Sequence, residues 1–501
     1  MATAELDGAD PEPAETESGD AETRDGEFVD AGGRSRLRRL QPLVIVLVAT
    51  QFLNIVNLSS VSIALPDIAG DLGLGEADLP WVMSAYGMTF AGFLLVGGRA
   101  ADVLGRRKVL AFGFGVFAVA AALAAVATGP LLFIGARALQ GVGAATMIPA
   151  SLGILTAAFP DRGDRSKALA EFAAGGAVGF ATGLLLGGAV TGALGWRWVF
   201  GLTVPPSSVL LVLTFVLVRE SHEDEKADGR VDLPSAFTAT GGLLGLTFAS
   251  TNAGKAGWLA PGTLMALTVG IALLALFLRL QTRADDPLMP LSVFRRPNFG
   301  AILGIGVCFY AAWTSVIYYL ALIFQRVLGY SPTGAALALL PLAVGGLVGT
   351  TVVGRVLPKT GPKPLLLGGL SVCAAGVALM SLIGIDTRYW PFIFAAAVLA
   401  VLGNSFSFVS SNVTASAGVE PEDQSLISGL FFTSLMVGGS VGLAVVSAVA
   451  GSPSQGGSGE ELLPSYQSAF RVAAAILVLA AVATVAFVRT ASSKEAVVEE
   501  E

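Results

Sequence analysis

Apolar runs of about twenty residues, the length an α-helix needs to cross a bilayer core, recur from residue 41 to residue 489 with short polar breaks between them. Backbone groups in lipid must find their partners within the segment, so such a chain folds as a set of spanning helices. The composition agrees. Of 501 residues, 54% are hydrophobic and 13% charged, against about 25% charge in a soluble domain. Mean hydropathy is +0.73, and a soluble fold is excluded. The 62 glycines suit helices that approach backbone to backbone. Fourteen spans fit the chain, near 41–64, 81–98, 109–128, 131–157, 168–191, 198–218, 233–252, 262–280, 299–322, 335–354, 364–384, 391–413, 426–450 and 468–489.

Charge placement orients these spans. Arg34, Arg36, Arg38 and Arg39 precede the first, and Arg99, Arg106, Arg107 and Lys108 crowd the turn after the second. Short loops rich in Lys and Arg stay in the cytoplasm. With fourteen spans the opposite loops hold only Arg197, Lys255, Arg326, Arg388 and Arg471. One missed span would invert everything after it. Both termini are then expected in the cytoplasm, with the protein in the plasma (inner) membrane. On that side one loop, Glu420–Gln424, carries acids and no base. Residues 1–33 hold eleven Asp and Glu against one Arg, which reads as a disordered acidic tail. The first apolar run begins near Leu40 without a small-residue cleavage pattern, so no secretory leader is expected.

A basic turn occurs twice. Gly97–Leu110 reads GGRAADVLGRRKVL, and Gly354–Leu366 reads GRVLPKTGPKPLL. The spacing Gly98 to Gly105 repeats as Gly354 to Gly361. Gly98 and Gly105 are expected to let the backbone turn sharply. The first copy joins spans 2 and 3, and the second joins spans 10 and 11, eight spans later. Two six-helix bundles in direct succession would place it six later. Two additional spans therefore lie between the bundles. The expected organisation is a tail at 1–40, a first bundle at 41–218, a linker with two extra spans at 219–298, a second bundle at 299–489 and an acidic tail at 490–501. The fold class is all-α, polytopic, 6+2+6.

Several residues in these spans carry chemistry. Arg137 lies well inside an apolar run, in Arg137-Ala-Leu-Gln140-Gly141-Val-Gly143. A cation at that depth must face a wet cavity or a partner. Gln140 sits one turn along on the same face. The fifth span repeats glycine every fourth residue, at Gly175, Gly179, Gly183 and Gly187, with Gly188 adjacent, a stripe that lets a neighbouring helix pack closely. The first span runs from Asn54 through Asn57 to Ala64-Leu65-Pro66.

These motifs resemble the major facilitator superfamily, and within it the fourteen-helix drug:proton antiporter branch of multidrug and antibiotic efflux transporters, over roughly residues 40–490. Gly98, Asp102, Gly105, Arg106 and Arg107 match the family's loop between helices 2 and 3, with Val103 where the family has a base. The resemblance implies that Asp102 latches the outward-open state with its basic neighbours. It implies a part for Arg137 in proton transfer, and export for the glycine stripe, although Leu184 stands where that motif has proline. Many members carry Asp where this chain has Asn57, and an amide neither takes up nor releases a proton near pH 7. Glu171 is the other carboxylate placed inside a bundle span, as a proton-coupling candidate or an interfacial partner of Arg165 or Lys167.

Cavity walls would supply substrate chemistry. Candidates are Asn54, Asn57, Trp81, Tyr86, Gln140, Met147, Trp313, Tyr318, Asn404 and Phe431; aromatic and amide groups in an apolar cleft suit bulky, weakly polar compounds. The implied partners are a small molecule, protons and lipid, with the protein acting as a monomer and not as an enzyme. No cofactor or metal is expected: His222 is alone in a charged loop, Cys308 and Cys373 sit in apolar runs, and no phosphate-cradling Gly-Lys-Ser/Thr loop appears. Two other readings stay open: a proton-independent facilitator or importer of a metabolite, and a non-transporting scaffold or receptor. Arg137 and the repeated turn count against the latter.

Overall fold

A computed structural model of the chain describes residues 19–75, 78–159, 161–218, 232–284, 287, 291–417, 419, 424–451 and 458–489. The acidic stretch up to residue 18, the loop of His222, the acidic loop at 420–423 and the tail from residue 490 lie outside these. The described residues are helical throughout, with no strand. The helices are α1 (Gly19–Leu72), α2 (Leu79–Leu104), α3 (Arg106–Ala125), α4 (Pro130–Ala158), α5 (Arg162–Leu194), α6 (Arg197–Gly201), α7 (Val204–Leu217), α8 (Leu233–Ala256), α9 (Pro261–Gln281), α10 (Phe299–Leu322), α11 (Pro332–Thr360), α12 (Pro362–Met380), α13 (Phe394–Ser416), α14 (Gln424–Val437), α15 (Leu443–Ala450) and α16 (Gly459–Phe487). The backbone from Gly19 to the first span is helical where composition suggested no regular structure. Glu, Arg, Leu and Ala are good helix formers, and the span beneath supplies the nucleus.

Local chemistry sets the ends. Asp161, Asp232 and Ser331 accept the backbone N–H of Gly163, Ser235 and Gly334, each at 3.1 Å, and Pro130 and Pro332 open their helices where no N–H is needed. The two basic turns match. Gly105 (φ 98°) ends α2 and Gly361 (φ 76°) ends α11, each in a conformation that disfavours a side chain. Gly98, expected to share in the turn, lies inside α2 instead. The tight approach there belongs to Gly97, where a Cβ would stand 2.1 Å from the Ala145 carbonyl oxygen. Beside this glycine pair α2 bends by 48°.

Among the described residues, twelve helices are long and apolar enough to cross a bilayer, or thirteen with bent α2 counted as one span. The expected count of fourteen is reached only with α8. That helix is long enough at 24 residues, but it buries Thr240, Thr247 and Thr251 and exposes Phe237 and Phe248. Its hydroxyls face protein, and they dilute its hydropathy.

In the first half α1 packs on α5, α2 on α4, and α3 on α4 and α7. In the second half α10 and α12 pack on α16, and α13 lies between α11 and α12. The halves meet where α5 touches α11 and α2 touches α14. There the Thr333 hydroxyl donates to the Gly188 carbonyl (3.2 Å), Gln325 to Ile63 (3.0 Å) and Ser84 to Ser440 (2.9 Å). The α8–α9 hairpin stands beside this seam, with α8 against both α2 and α15. On α5, Gly179, Gly183 and Gly187 face Phe52, Val56 and Ser60 of α1, whereas Gly188 faces Ala336 of α11. Gly175 meets Val48, so the stripe packs on α1 along its whole length.

Candidate functional site

The site is built on the contact between α2 and α4. A Cβ on Gly141 would lie 2.3 Å from the Tyr86 carbonyl oxygen and 2.1 Å from the Thr89 hydroxyl. Only glycine allows that approach. It brings Arg137, one turn before Gly141, under the backbone of α2. The guanidinium is fully buried. Its Nε donates to the Val82 carbonyl (3.2 Å), and Nη1 donates to Asn57 Oδ1 (2.8 Å) and to Gln140 Oε1 (2.7 Å). The Tyr86 ring stacks 4.7 Å from Cζ, and the Phe200 ring lies at 5.9 Å, within the range of cation–π attraction. The Tyr86 hydroxyl donates to Asn54 Oδ1. Four of the expected substrate residues, Asn54, Asn57, Tyr86 and Gln140, thus share one network with Arg137, across α1, α2 and α4.

The network is incomplete in one direction. Asn57 and Gln140 point their carbonyl oxygens at the cation, and no carboxylate of the described residues pairs with it. Arg137 Nη2, Asn57 Nδ2 and Gln140 Nε2 are buried without a partner. Each such donor costs about 1–3 kcal/mol, and an uncompensated buried charge costs more.

The basic turn is a second cluster. Arg106 Nη2 lies 3.6 Å from Asp102 Oδ1, and Arg106 Nη1 donates to the Gly153 carbonyl on α4 (2.8 Å). Arg107 Nη2 donates to the Phe215 carbonyl on α7 (2.8 Å), over that residue's ring. Arg107 there meets the negative end of α7, and the two cations tie the α2–α3 turn to the C-terminal part of α4 and the last turn of α7.

A family model described as Major Facilitator Superfamily matches residues 47–443. The chain belongs to the major facilitator superfamily. It is a secondary transporter and a multi-pass membrane protein, and not an enzyme. Among relatives, the puromycin resistance protein Pur8 of Streptomyces alboniger is 35% identical over 82% of this chain and 82% of its own length. The cephamycin export protein CmcT of Amycolatopsis lactamdurans is 35% identical over 89% of this chain and 92% of its own. The nucleoside transporter NupG shares the fold at a TM-score of 0.61 and 16% identity, over 89% of this chain and 100% of its own.

In this major-facilitator frame other expected site residues fall elsewhere. Met147 is buried against α3, where its Cγ would stand 2.5 Å from a Cβ on Gly113. It packs the first half and does not reach the Arg137 network, because ten residues of helix carry it about 15 Å along the axis and about a quarter turn round, toward α3. Glu171 is exposed and shares its helix face with Val178 and Leu185, both exposed; Gly188, which faces α11, lies about a quarter turn away. Trp81 is half-buried beside Phe248 of α8. In the second half, Tyr318 stacks edge-on against Tyr319 at 4.9 Å. Phe431 is buried beside Phe408 and Phe432, Trp313 is half-buried on α10, and the Asn404 Oδ1 atom is buried without a partner. No described hydrogen bond or ring contact links these four to Arg137. Sequence reasoning missed the Val82 carbonyl, Phe200 and the Ser84–Ser440 contact. The aromatic cluster Trp196-Arg-Trp-Val-Phe200 was the available signal for Phe200. A backbone carbonyl has none.

Proposed function

We propose that this chain exports amphipathic small molecules of the antibiotic type by alternating access, one half rocking against the other. The observation that carries the reading is Arg137, a guanidinium fully buried in an amide and aromatic network beside the seam between the halves. Such a cation suits a cavity that a solute visits. The names of the relatives, puromycin resistance and cephamycin export, support both direction and substrate class.

In this reading Asn54, Asn57, Tyr86 and Gln140 form one wall of the binding site, and Trp313, Tyr318, Asn404 and Phe431 belong to the other. Asp102, Arg106 and Arg107 gate the α2–α3 end, and proton antiport drives the cycle. The amides around Arg137 do not titrate, so Asn57 and Gln140 do not themselves carry the coupling proton. The protein works as a monomer in the plasma membrane with both termini cytoplasmic. It has fourteen spans, six in 41–218, two in 219–298 and six in 299–489, as the placement of Lys and Arg supports.

Inverted membrane vesicles test this. Radiolabelled puromycin should accumulate in vesicles that carry the protein, and collapse of the pH gradient should abolish the uptake. Uptake that ignores the gradient refutes antiport. If neither puromycin nor a panel of amphipathic antibiotics is taken up, the export reading fails.

A further inference from the structure

The three unpartnered groups around Arg137 are all donors. Arg137 Nη2, Asn57 Nδ2 and Gln140 Nε2 each sit on the atom geminal to one already used, because Nη1 bonds Asn57 Oδ1 and Gln140 Oε1. The free N–H groups therefore surround one short contact. Asn57 and Gln140 have turned their amide oxygens inward to the cation, and the Val82 carbonyl is taken by Nε, so what these two amides present on the other side is N–H. The residues are 0–1% exposed, and no described carboxylate balances the charge. A net positive cluster whose three unpartnered groups are all donors, walled by the rings of Tyr86 and Phe200, is complementary to an anion with an aromatic or apolar body.

We infer that this cluster is the receptor for an anionic group, a carboxylate of the transported compound or a free halide. Resting on the export reading above, this makes amphipathic organic acids a preferred substrate class. Val82 and Tyr86, which hold the guanidinium, flank Ser84, whose hydroxyl bonds Ser440 across the seam. Ser84 itself lies about half a turn round α2 from both, so access to the buried cluster comes from the rocking of the halves proposed above and not from that contact. An anion then gathers the free donors without displacing the bonds that hold Arg137.

The test uses purified full-length protein in detergent and a matched pair of probes, 1-naphthylacetate and 1-naphthylacetamide, with ligand-induced melting shifts as the readout. Sodium chloride against sodium gluconate forms the second arm. The acid should stabilise the wild type at a concentration at least tenfold below that of the neutral amide. Asn57→Asp, which is isosteric and supplies an internal counter-charge, should erase the preference of acid over amide, read as the ratio of the two responses within the same variant; Gln140→Glu should behave alike. A chloride shift that Asn57→Asp also abolishes assigns the site to a halide, and an acid response unaffected by chloride assigns it to the substrate carboxylate. Equal response to acid and amide, with no chloride effect, overturns the inference, as does an acid preference that survives both variants. Because no transport is measured, these outcomes are separate from failure of the vesicle experiment.

Discussion

Gly141→Ala probes the contact on which the site depends. The new Cβ would stand 2.3 Å from the Tyr86 carbonyl oxygen and 3.1 Å from the Phe90 nitrogen, where ordinary contacts begin near 3.4 Å. Neither atom is the end of a flexible side chain, so α2 has to retreat by about 1 Å. Overpacking of this kind costs about 1–3 kcal/mol. The retreat also stretches the bond from the Thr89 hydroxyl to the Ala138 carbonyl, now 2.7 Å, and moves Val82 and Tyr86 off the guanidinium. Gly135→Ala is the control. It lies on the same helix with nothing within 4 Å of its Cβ and should gain up to about 1 kcal/mol in helix propensity. The two variants should therefore differ by about 1–4 kcal/mol. Melting of the purified protein by tryptophan fluorescence reads the difference, and vesicle uptake reads the site. Gly135→Ala should transport normally and Gly141→Ala should not. If Gly141→Ala melts with Gly135→Ala and transports as well, the close packing of α2 on α4 is not what holds Arg137.

Arg137→Ala should abolish uptake and leave membrane insertion intact, checked by surface biotinylation of an external cysteine tag; normal flux removes Arg137 from the mechanism. Asp102→Asn should move the melting point little, because the ion pair with Arg106 is half exposed and such pairs contribute about 0–1 kcal/mol; unchanged uptake at several pH values would discard the gate. Gly105→Ala places a side chain at φ 98° and should destabilise by about 1–3 kcal/mol, whereas Gly98→Ala, whose Cβ meets nothing nearer than 3.7 Å, should be tolerated; equal behaviour of the two denies the turn its strain.

The sequence exposed what depends on period and charge. Membrane-length runs, the doubled basic turn and the four-residue glycine stripe each follow from a regular spacing, and the structure carries them as long helices, as the matching turns at Gly105 and Gly361, and as the contact of α5 on α1. Arg137 was visible because a cation in an apolar run has few other uses, and Asn54, Asn57, Tyr86 and Gln140 lie beside it. What depends on rotation about a helix axis was less legible. Met147 and Glu171 have suitable chemistry, but one faces α3 and the other an exposed apolar face. In membrane helices both lipid and protein faces are apolar, so hydropathy does not mark the inward side. The sharp turn was half misread for a similar reason: a glycine at a loop and a glycine beneath a crossing helix look the same in the sequence, and Gly98 and Gly97 differ only in what passes over them.

The inserted hairpin has a mechanical consequence. Since α8 leans on α2 of one half and α15 of the other, no swing of the halves can leave it untouched. Either it rides with one partner and shears along the other, or it limits how far they part. Thr240 sits in the notch that Gly92 leaves on α2, where a Cβ would stand 1.9 Å from its hydroxyl oxygen, so sliding along α2 would have to lift it out. A hairpin held against both α2 and α15 would thus set the stroke of the rocking proposed above.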